Sequence, residues 1–363
     1  MRGRMPLVWF LVPLFCWALC SNAWGCAIIN QRGRPSAKGE ITLKIVDSQG
    51  CPVEGALCDA CFLRSDVFGD YEHEEAMTDA QGRAAFKGTT YGEMTFQIKK
   101  DGYYATAGRY WFLRPSEQAL EVGATTNHAF YDIEFYPPGE RGGISGGRWT
   151  PWNPEIEVTL KEHRHPIPLV LHTSEFRRKE CGEPVGFDVE IGDWVAPYGR
   201  GENADFVVGL QGADTGDGEN GGSSGESPKV ILSAGEPPNG FVQCTRETWS
   251  RLSSQYEAPE DGYVPDIVPF VQLRGNPRHI IRPHDYLFLR CRAVTDESGK
   301  IIHANYAKIY GMRYRISGEG TEKGTFTLET GPMWFNAVDL DRNLEYDPDR
   351  NLNPKGYRHF ETQ

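Results

Sequence analysis

The sequence predicts an all-β protein, with an N-terminal β-sandwich followed by a second β-rich domain that contains one or two short helices. The first observation is the content of 41 Gly and 24 Pro among 363 residues, which is typical of a turn-rich β protein. The second is period-two alternation in short runs, as in Ile41, Leu43 and Ile45, which polar residues separate. The length, at roughly 100–200 residues per domain, favours two domains.

The N-terminus predicts export. Arg2 and Arg4 precede an apolar, charge-free run over 6–20 that is too short to span a bilayer. A signal peptide of residues 1–23 is expected. The alternative is a lipoprotein-type leader of residues 1–25, which leaves Cys26 acylated. The protein is then periplasmic, outer-surface or secreted, and it meets a membrane only through that lipid anchor.

The charge balance excludes one class of partner. Lys and Arg number 38 against 50 Asp and Glu, a formal net charge of -12. Because phosphate binding needs a cationic surface, we expect no nucleic-acid partner.

Export changes the interpretation of the cysteines, because an oxidising compartment favours disulfides. Positions three apart on a strand point to opposite faces, so a bond between Cys58 and Cys61 would be strained and Cys51 is the better partner for one of them. The alternative is a zinc site formed by those three cysteines and His73. The disulfide candidates are Cys51, Cys58, Cys61, Cys181, Cys244 and Cys291.

Residues 39–104 alternate between strand patterns and Gly-containing turns, and three strings within them have a recognisable spacing. They are Asp47…Gly50-x-Pro52-Val53-x-Gly55-Ala56, Thr78-Asp79-Ala80-x-Gly82-Arg83 and Gly92…Lys100-x-Gly102-Tyr103. These strings resemble the carboxypeptidase regulatory-like (transthyretin-like) β-sandwich family. The resemblance implies a non-catalytic spacer or adhesion-type module, which we place at residues 38–162. The sequence departs from it at the three cysteines and at an acidic insertion around 68–75, which leaves open a ligand at that edge.

The second domain is placed at residues 166–363. Two strand patterns, 286–294 and 301–310, flank a turn and predict a hairpin. Residues 212–227 are acidic, rich in Gly and Ser and predict a disordered loop. Trp249, Leu252 and Tyr256 predict a helix over 245–258, and residues 116–121 suggest another. This part resembles uncharacterised exported bacterial proteins that carry such a module, and that resemblance implies no activity.

One candidate ligand site lies around residues 193–205. Two aromatic rings there could stack on a sugar, with two acids and an Arg bonding its hydroxyls. The alternative is a core Trp beside a turn, because large aromatic side chains usually pack inside. The residues are Asp193, Trp194, Tyr198, Arg200 and Asp205.

A calcium site is a second candidate, because oxygen-bearing side chains recur at every second residue near the C-terminus. The alternative is that neighbouring arginines pair with these acids and that Asp and Asn form turns. The proposed ligands are Asp339, Asp341, Asn343, Glu345 and Asp347.

Histidines suggest a further metal alternative. His163 and His165 would share one strand face and could join His172 on a metal, although Pro166 favours an interdomain turn. We predict no catalytic residues. The function expected is a non-enzymatic binding or surface-interaction protein that recognises glycan or an envelope component. The alternatives are a polysaccharide-acting hydrolase with C-terminal acids and a structural assembly subunit.

Overall fold

The computed structural model describes residues 36–64, 70–113, 133–137, 142–172, 175–179, 183–211, 229–246, 250–267, 278–281, 285–317 and 325–353. Within these ranges the chain forms strands, bridges and turns and no helix, so the all-β prediction is confirmed. In the same ranges, no helix is long and apolar enough to cross a membrane. The predicted leader, Cys26, the helix at 116–121 and the loop at 212–227 lie outside the described residues.

The N-terminal half folds into two sheets. Strand β1 is the centre of the first sheet: β4 pairs along one side of it, and β9 and β10 pair in turn along the other. The second sheet has the order β3-β2-β5-β6-β7. The strands are β1 Ala37–Val46, β2 Leu57–Leu63, β3 Tyr71–Met77, β4 Arg83–Thr90, β5 Glu93–Lys99, β6 Thr106–Trp111, β7 Ile133–Phe135, β8 Gly143–Ser145, β9 Arg148–Thr150 and β10 Glu155–Thr159.

Alternation decides which face of each sheet meets the core. In β1 the predicted apolar positions are fully buried, whereas Thr42 and Lys44 lie on the outer face. In β2 the inward positions include Cys58 and Phe62. A Cβ at Gly88 would come within 2.5 Å of the Phe62 ring, so the absence of a side chain there lets the two sheets approach each other.

The C-terminal half contains three further sheets, with the orders β17-β20-β21-β24-β11-β25, β12-β23-β22-β19 and β14-β13-β15-β16-β18. The predicted hairpin is β20 and β21. The strands are β11 Ile167–His172, β12 Glu175–Lys179, β13 Val185–Asp188, β14 Asp193–Trp194, β15 Phe206–Gln211, β16 Lys229–Ser233, β17 Gly240–Thr245, β18 Asp266–Ile267, β19 Arg278–His279, β20 Asp285–Thr295, β21 Ile301–Tyr310, β22 Met312–Ser317, β23 Thr325–Thr330, β24 Met333–Asn336 and β25 Tyr346–Asn351.

The helix predicted over 245–258 does not form in its described residues. Ser250 makes an isolated bridge to Thr106, and residues 251–258 are irregular. Leu252 is buried as predicted, but long-range bonds hold this segment, such as that from Ser254 N to Tyr310 Oη at 2.7 Å. Tertiary hydrogen bonds thus replace the intrahelical ladder that the spacing predicted.

Candidate active site on the outer face of the sandwich

The outer face of the second sheet of the sandwich carries a cysteine, a histidine and an aspartate side by side. Asp59 and Cys61 are two residues apart on β2, so both side chains point away from the core. His73 lies directly opposite Cys61 on the antiparallel neighbour β3. The strand register therefore brings together three polar side chains that are up to 14 residues apart in the chain.

The His73 ring lies between the other two groups. Its Nε2 is 3.6 Å from Cys61 Sγ, and its Nδ1 is 3.5 Å from Asp59 Oδ1. Asp59 Oδ1 is shielded from solvent and has no hydrogen-bond partner among the described residues, so the 3.5 Å approach of His73 is a contact that is not yet a hydrogen bond. The His73 side chain is 51% exposed, so a molecule in solution can reach the cluster from the open face.

This order of groups is the one that activates a thiol. When Nδ1–H of His73 donates to the Asp59 carboxylate, Nε2 has the lone pair that accepts the Cys61 proton. Once that hydrogen bond forms, the carboxylate can fix the imidazole tautomer and stabilise the imidazolium, as in triads on unrelated folds. Contacts of this kind are often loose before substrate binds and tighten in the complex.

The same geometry is unsuited to a metal. The thiol and the carboxylate lie at different nitrogens of one ring, so the three donors do not converge on one point. Within the described residues, no group of three His, Cys, Asp or Glu side chains could hold a metal ion. The zinc alternative also fails to assemble, because Cys58 points into the core and Cys61 points outward.

The other thiols differ from Cys61 in their surroundings. Burial raises the pKa of Cys58 to about 12, and burial likewise raises the pKa of Cys291, so both stay protonated. Cys51 is exposed. None of the five described cysteines is in a disulfide, and Cys181 lies outside the described residues. The five are Cys51, Cys58, Cys61, Cys244 and Cys291.

The predicted ligand site at 193–205 does not form one surface. Trp194 is 1% exposed and packs edge-on against Phe187 at a centroid distance of 5.3 Å. Asp205 is buried. Asp193 instead pairs with Arg200 at 3.2 Å, and Tyr198 packs partly buried against the same core as Trp194. The arrangement matches the alternative of a core Trp beside a turn.

Arg292, a residue outside the predicted site, pairs with acids of this segment. Arg292 has a φ of 54° at an irregularity in the β20–β21 register. Its Nε lies 2.8 Å from Asp205 and its Nη2 3.3 Å from Asp188. Asp188 also accepts from the backbone N–H groups of residues 190, 191, 202 and 203. Burial raises the pKa of Asp205, and Arg292 opposes that shift. A half-buried cation that pairs with acids far apart in the chain has no local sequence signal.

The predicted calcium ligands are engaged locally. Asp339 pairs with His303 at 2.7 Å, and Asp341 accepts from the N–H of Asn343 at 3.0 Å. Asp347 lies 2.7 Å from Arg350. Asn343 Oδ1 accepts from the N–H of Glu345 at 2.9 Å. These contacts correspond to the alternative of acid–arginine pairs and Asp and Asn turns.

The three predicted histidine ligands contact different partners. The His163 ring packs against Tyr104 at 4.2 Å. The backbone N–H of His165 donates to the Glu345 carboxylate. His172 Nε2 lies 2.8 Å from the carbonyl oxygen of Glu190. The three histidines therefore have separate partners, and within the described residues they belong to no group that could hold a metal ion.

Comparison with known proteins finds similarity among solved structures. No protein-family model matches the chain, and no curated protein matches it. Similar solved structures include 3-chlorocatechol 1,2-dioxygenase from Rhodococcus opacus 1CP, with 13% identity over 36% of this chain and 62% of that one, at a TM-score of 0.26. The intradiol ring-cleavage dioxygenase from Tetranychus urticae has 14% identity over 37% of this chain and 85% of that one, at a TM-score of 0.23. Hydroxyquinol 1,2-dioxygenase from Pseudomonas putida DLL-E4 has 15% identity over 35% of this chain and 57% of that one, at 0.23.

These neighbours correct one prediction. All three are enzymes, which contradicts the expectation of a non-enzymatic binding or surface-interaction protein, and that expectation is withdrawn. The likeness goes no further. At such TM-scores it assigns neither ring cleavage nor an iron cofactor to this chain.

Proposed function

We propose that the protein is a thiol-dependent enzyme that transfers or hydrolyses acyl groups, with Cys61 as nucleophile, His73 as general base and Asp59 as the group that orients His73. One observation carries the proposal: the two nitrogens of His73 face the thiol and the carboxylate, at 3.6 and 3.5 Å.

The proposed reaction has two steps, acylation of Cys61 and hydrolysis of the resulting thioester. Cys61 Sγ attacks the substrate carbonyl carbon while its proton moves to His73 Nε2, and the carbonyl electron pair moves onto oxygen. The tetrahedral intermediate re-forms the carbonyl and expels the alcohol or thiol, which takes the proton from His73. Water then attacks the thioester on Cys61, gives a proton to His73, and the acid leaves as the thiol is restored.

The resemblance of residues 38–162 to the carboxypeptidase regulatory-like family is compatible with this proposal. That family implies a non-catalytic transthyretin-like sandwich, and the sequence departs from it at Cys61 and at the acidic insertion that contains His73. We therefore propose a sandwich of that type that has gained a reactive site on its outer face.

Thiol reactivity tests the first part of the proposal. The full chain is pulsed with iodoacetamide at pH 6, and the modification of each cysteine is followed by mass spectrometry. The exposed Cys51 is the internal reference. We expect Cys61 to react about tenfold faster than Cys51. His73→Gln should bring Cys61 down to the rate of Cys51 and leave Cys51 unchanged.

Acyl transfer tests the second part. The chain is mixed with p-nitrophenyl acetate, and the released nitrophenol and the acetyl adduct on Cys61 are measured. The Cys61→Ala variant should lose both signals, whereas Cys51→Ser should keep them. Equal alkylation rates for Cys61 and Cys51, together with no adduct on Cys61, would overturn the proposal.

A further inference from the structure

The proposed reaction needs a hydrogen-bond donor for the oxyanion that forms on the substrate carbonyl. In many enzymes backbone N–H groups supply it, but β2 is an interior strand. Its N–H groups are committed to the ladders with β3 on one side and β5 on the other. The donor at Cys61 must therefore be a side chain on the same face of the sheet.

Thr95 lies at the required place. The β2–β5 register puts Thr95 directly opposite Cys61, just as the β2–β3 register puts His73 opposite Cys61 on the other side. Side chains at directly opposed positions share a face, with Cβ atoms about 4.5–5.5 Å apart. The neighbours Met94 and Phe96 are buried, whereas Thr95 is half-buried, so Thr95 points outward. The base, the thiol and the hydroxyl thus form one row across three strands.

The next polar groups are less suitable as donors. Gln97 lies opposite Asp59, one row further along the strands. Arg109 lies opposite Thr95 and so is two strands from Cys61. Its Nε is 3.0 Å from the Glu93 carboxylate, and its guanidinium lies over the Trp111 ring. The Thr95 hydroxyl makes no hydrogen bond with the described residues that would compete with a substrate.

We propose that Thr95 is a further catalytic residue, whose hydroxyl donates a hydrogen bond to the oxyanion of an ester or thioester substrate under attack by Cys61. This inference rests on the proposed function. The row geometry predicts that the substrate carbonyl lies over Cys61, with its oxygen on the β5 side and the leaving group on the β3 side. His73 on β3 can then protonate the leaving group.

The test compares two variants of the full chain, Thr95→Val and Thr95→Ser. Val is nearly isosteric with Thr and suits a strand, but it lacks the hydroxyl, whereas Ser keeps it. With p-nitrophenyl acetate we expect Thr95→Val to lower kcat about a hundredfold, the effect of removing one oxyanion donor. Thr95→Ser should restore most of the rate.

Alkylation of Cys61 by iodoacetamide separates this role from a structural one. Displacement at the saturated carbon of iodoacetamide forms no oxyanion, so Thr95→Val should alkylate at the wild-type rate. Slower alkylation in Thr95→Val would mean that Thr95 positions the thiol, and it would overturn the oxyanion role. Wild-type kcat in Thr95→Val would also overturn it, while leaving Cys61 chemistry intact. Absence of Cys61-dependent hydrolysis in the wild-type chain would instead overturn the proposed function itself.

Discussion

At the scale of single residues, Lys308 shows how a charge-bearing side chain is accommodated inside the C-terminal half. It is fully buried, and its Nζ donates to the carbonyl oxygen of Leu344 at 2.7 Å. The same nitrogen lies over the ring of Trp334 at 4.7 Å, a contact that favours a cation. Burial nevertheless pushes the pKa of Lys308 well below its ordinary value; Lys161 pushes it further and Glu345 opposes the shift.

This lowered pKa predicts a pH-dependent stability. The folded state binds fewer protons at Lys308 than the unfolded state does. The stability that the neutral Lys308 side chain contributes to the fold is therefore complete above the unfolded pKa of about 10.4, and it is lost as the pH falls towards the folded pKa. We expect Lys308→Met to be at least as stable as wild type at pH 7. The difference in unfolding free energy between Lys308→Met and wild type should shrink between pH 7 and 9, by at most about 1.4 kcal/mol per pH unit.

Urea unfolding at pH 7, 8 and 9 measures this trend. The pH range stays below the ordinary pKa of tyrosine, because burial raises the pKa of the neighbouring Tyr310 and its ionisation would act in the opposite direction. Lys44→Met is the control, since Lys44 lies on the outer face of the sandwich and pairs with Glu157. A Lys308→Met difference that does not change with pH would contradict the prediction.

At the scale of elements, the edge strands β3 and β4 of the two sheets are connected by side-chain hydrogen bonds and not by strand pairing. Strand β4 is an edge of the first sheet and β3 an edge of the second. Glu74 accepts from the backbone N–H of Lys87 at 2.7 Å, and Glu72 from that of Thr89 at 3.0 Å. The two carboxylates thereby bind backbone N–H groups of the β4 edge, which could otherwise pair with a strand of another chain.

This closure predicts the effect of removing the carboxylates. The double variant with Glu72→Ala and Glu74→Ala should lose about 1–3 kcal/mol of unfolding free energy, from two hydrogen bonds to charged acceptors. It should also associate more at high concentration, because β4 is uncovered. Urea unfolding and light scattering report the two effects. Glu75→Ala, at an exposed position of the same strand, should change neither by a measurable amount.

The elements that the sequence predicted correctly are those with local signals. β1 and the β20–β21 hairpin follow from alternation and from turns that contain Gly50 or Gly299, both with positive φ. The helix predicted over 245–258 is wrong in its described residues, because Leu252 is buried by an irregular segment and not by a helix. The partners of that segment, such as Tyr310, are distant in sequence.

At the scale of the whole molecule, the sandwich and the C-terminal half share a buried junction. Tyr104, from the turn before β6, packs in a core cluster with residues of the C-terminal half, including Trp334. Its hydroxyl donates to the carbonyl oxygen of Tyr346 at 2.7 Å and contacts Glu345 at 3.3 Å. Lys161 donates to the carbonyl oxygen of Ser254. Buried polar groups of each half therefore find their hydrogen-bond partners in the other half.

The junction predicts that the two halves stabilise each other. Tyr104→Phe should lower the unfolding free energy by about 1–3 kcal/mol, because it leaves buried acceptors without their donor. Hydrogen exchange followed by mass spectrometry should show increased exchange on both sides, in β6 and in β25. Tyr103→Phe is the matched control, since that hydroxyl makes only a 3.4 Å contact with Glu162 at a half-buried position. Faster exchange in β6 alone would contradict mutual stabilisation.

The sequence by itself determined the all-β class, the positions of many strands and turns, and the opposite orientations of Cys58 and Cys61. These follow from alternation and glycine placement, which act over a few neighbouring residues. Only the tertiary structure decided that His73 lies opposite Cys61 with Asp59 beside it, because strand register depends on how whole strands pair across the sheet. Packing between distant strands likewise decided that Trp194 is buried, so that its ring cannot stack on a ligand.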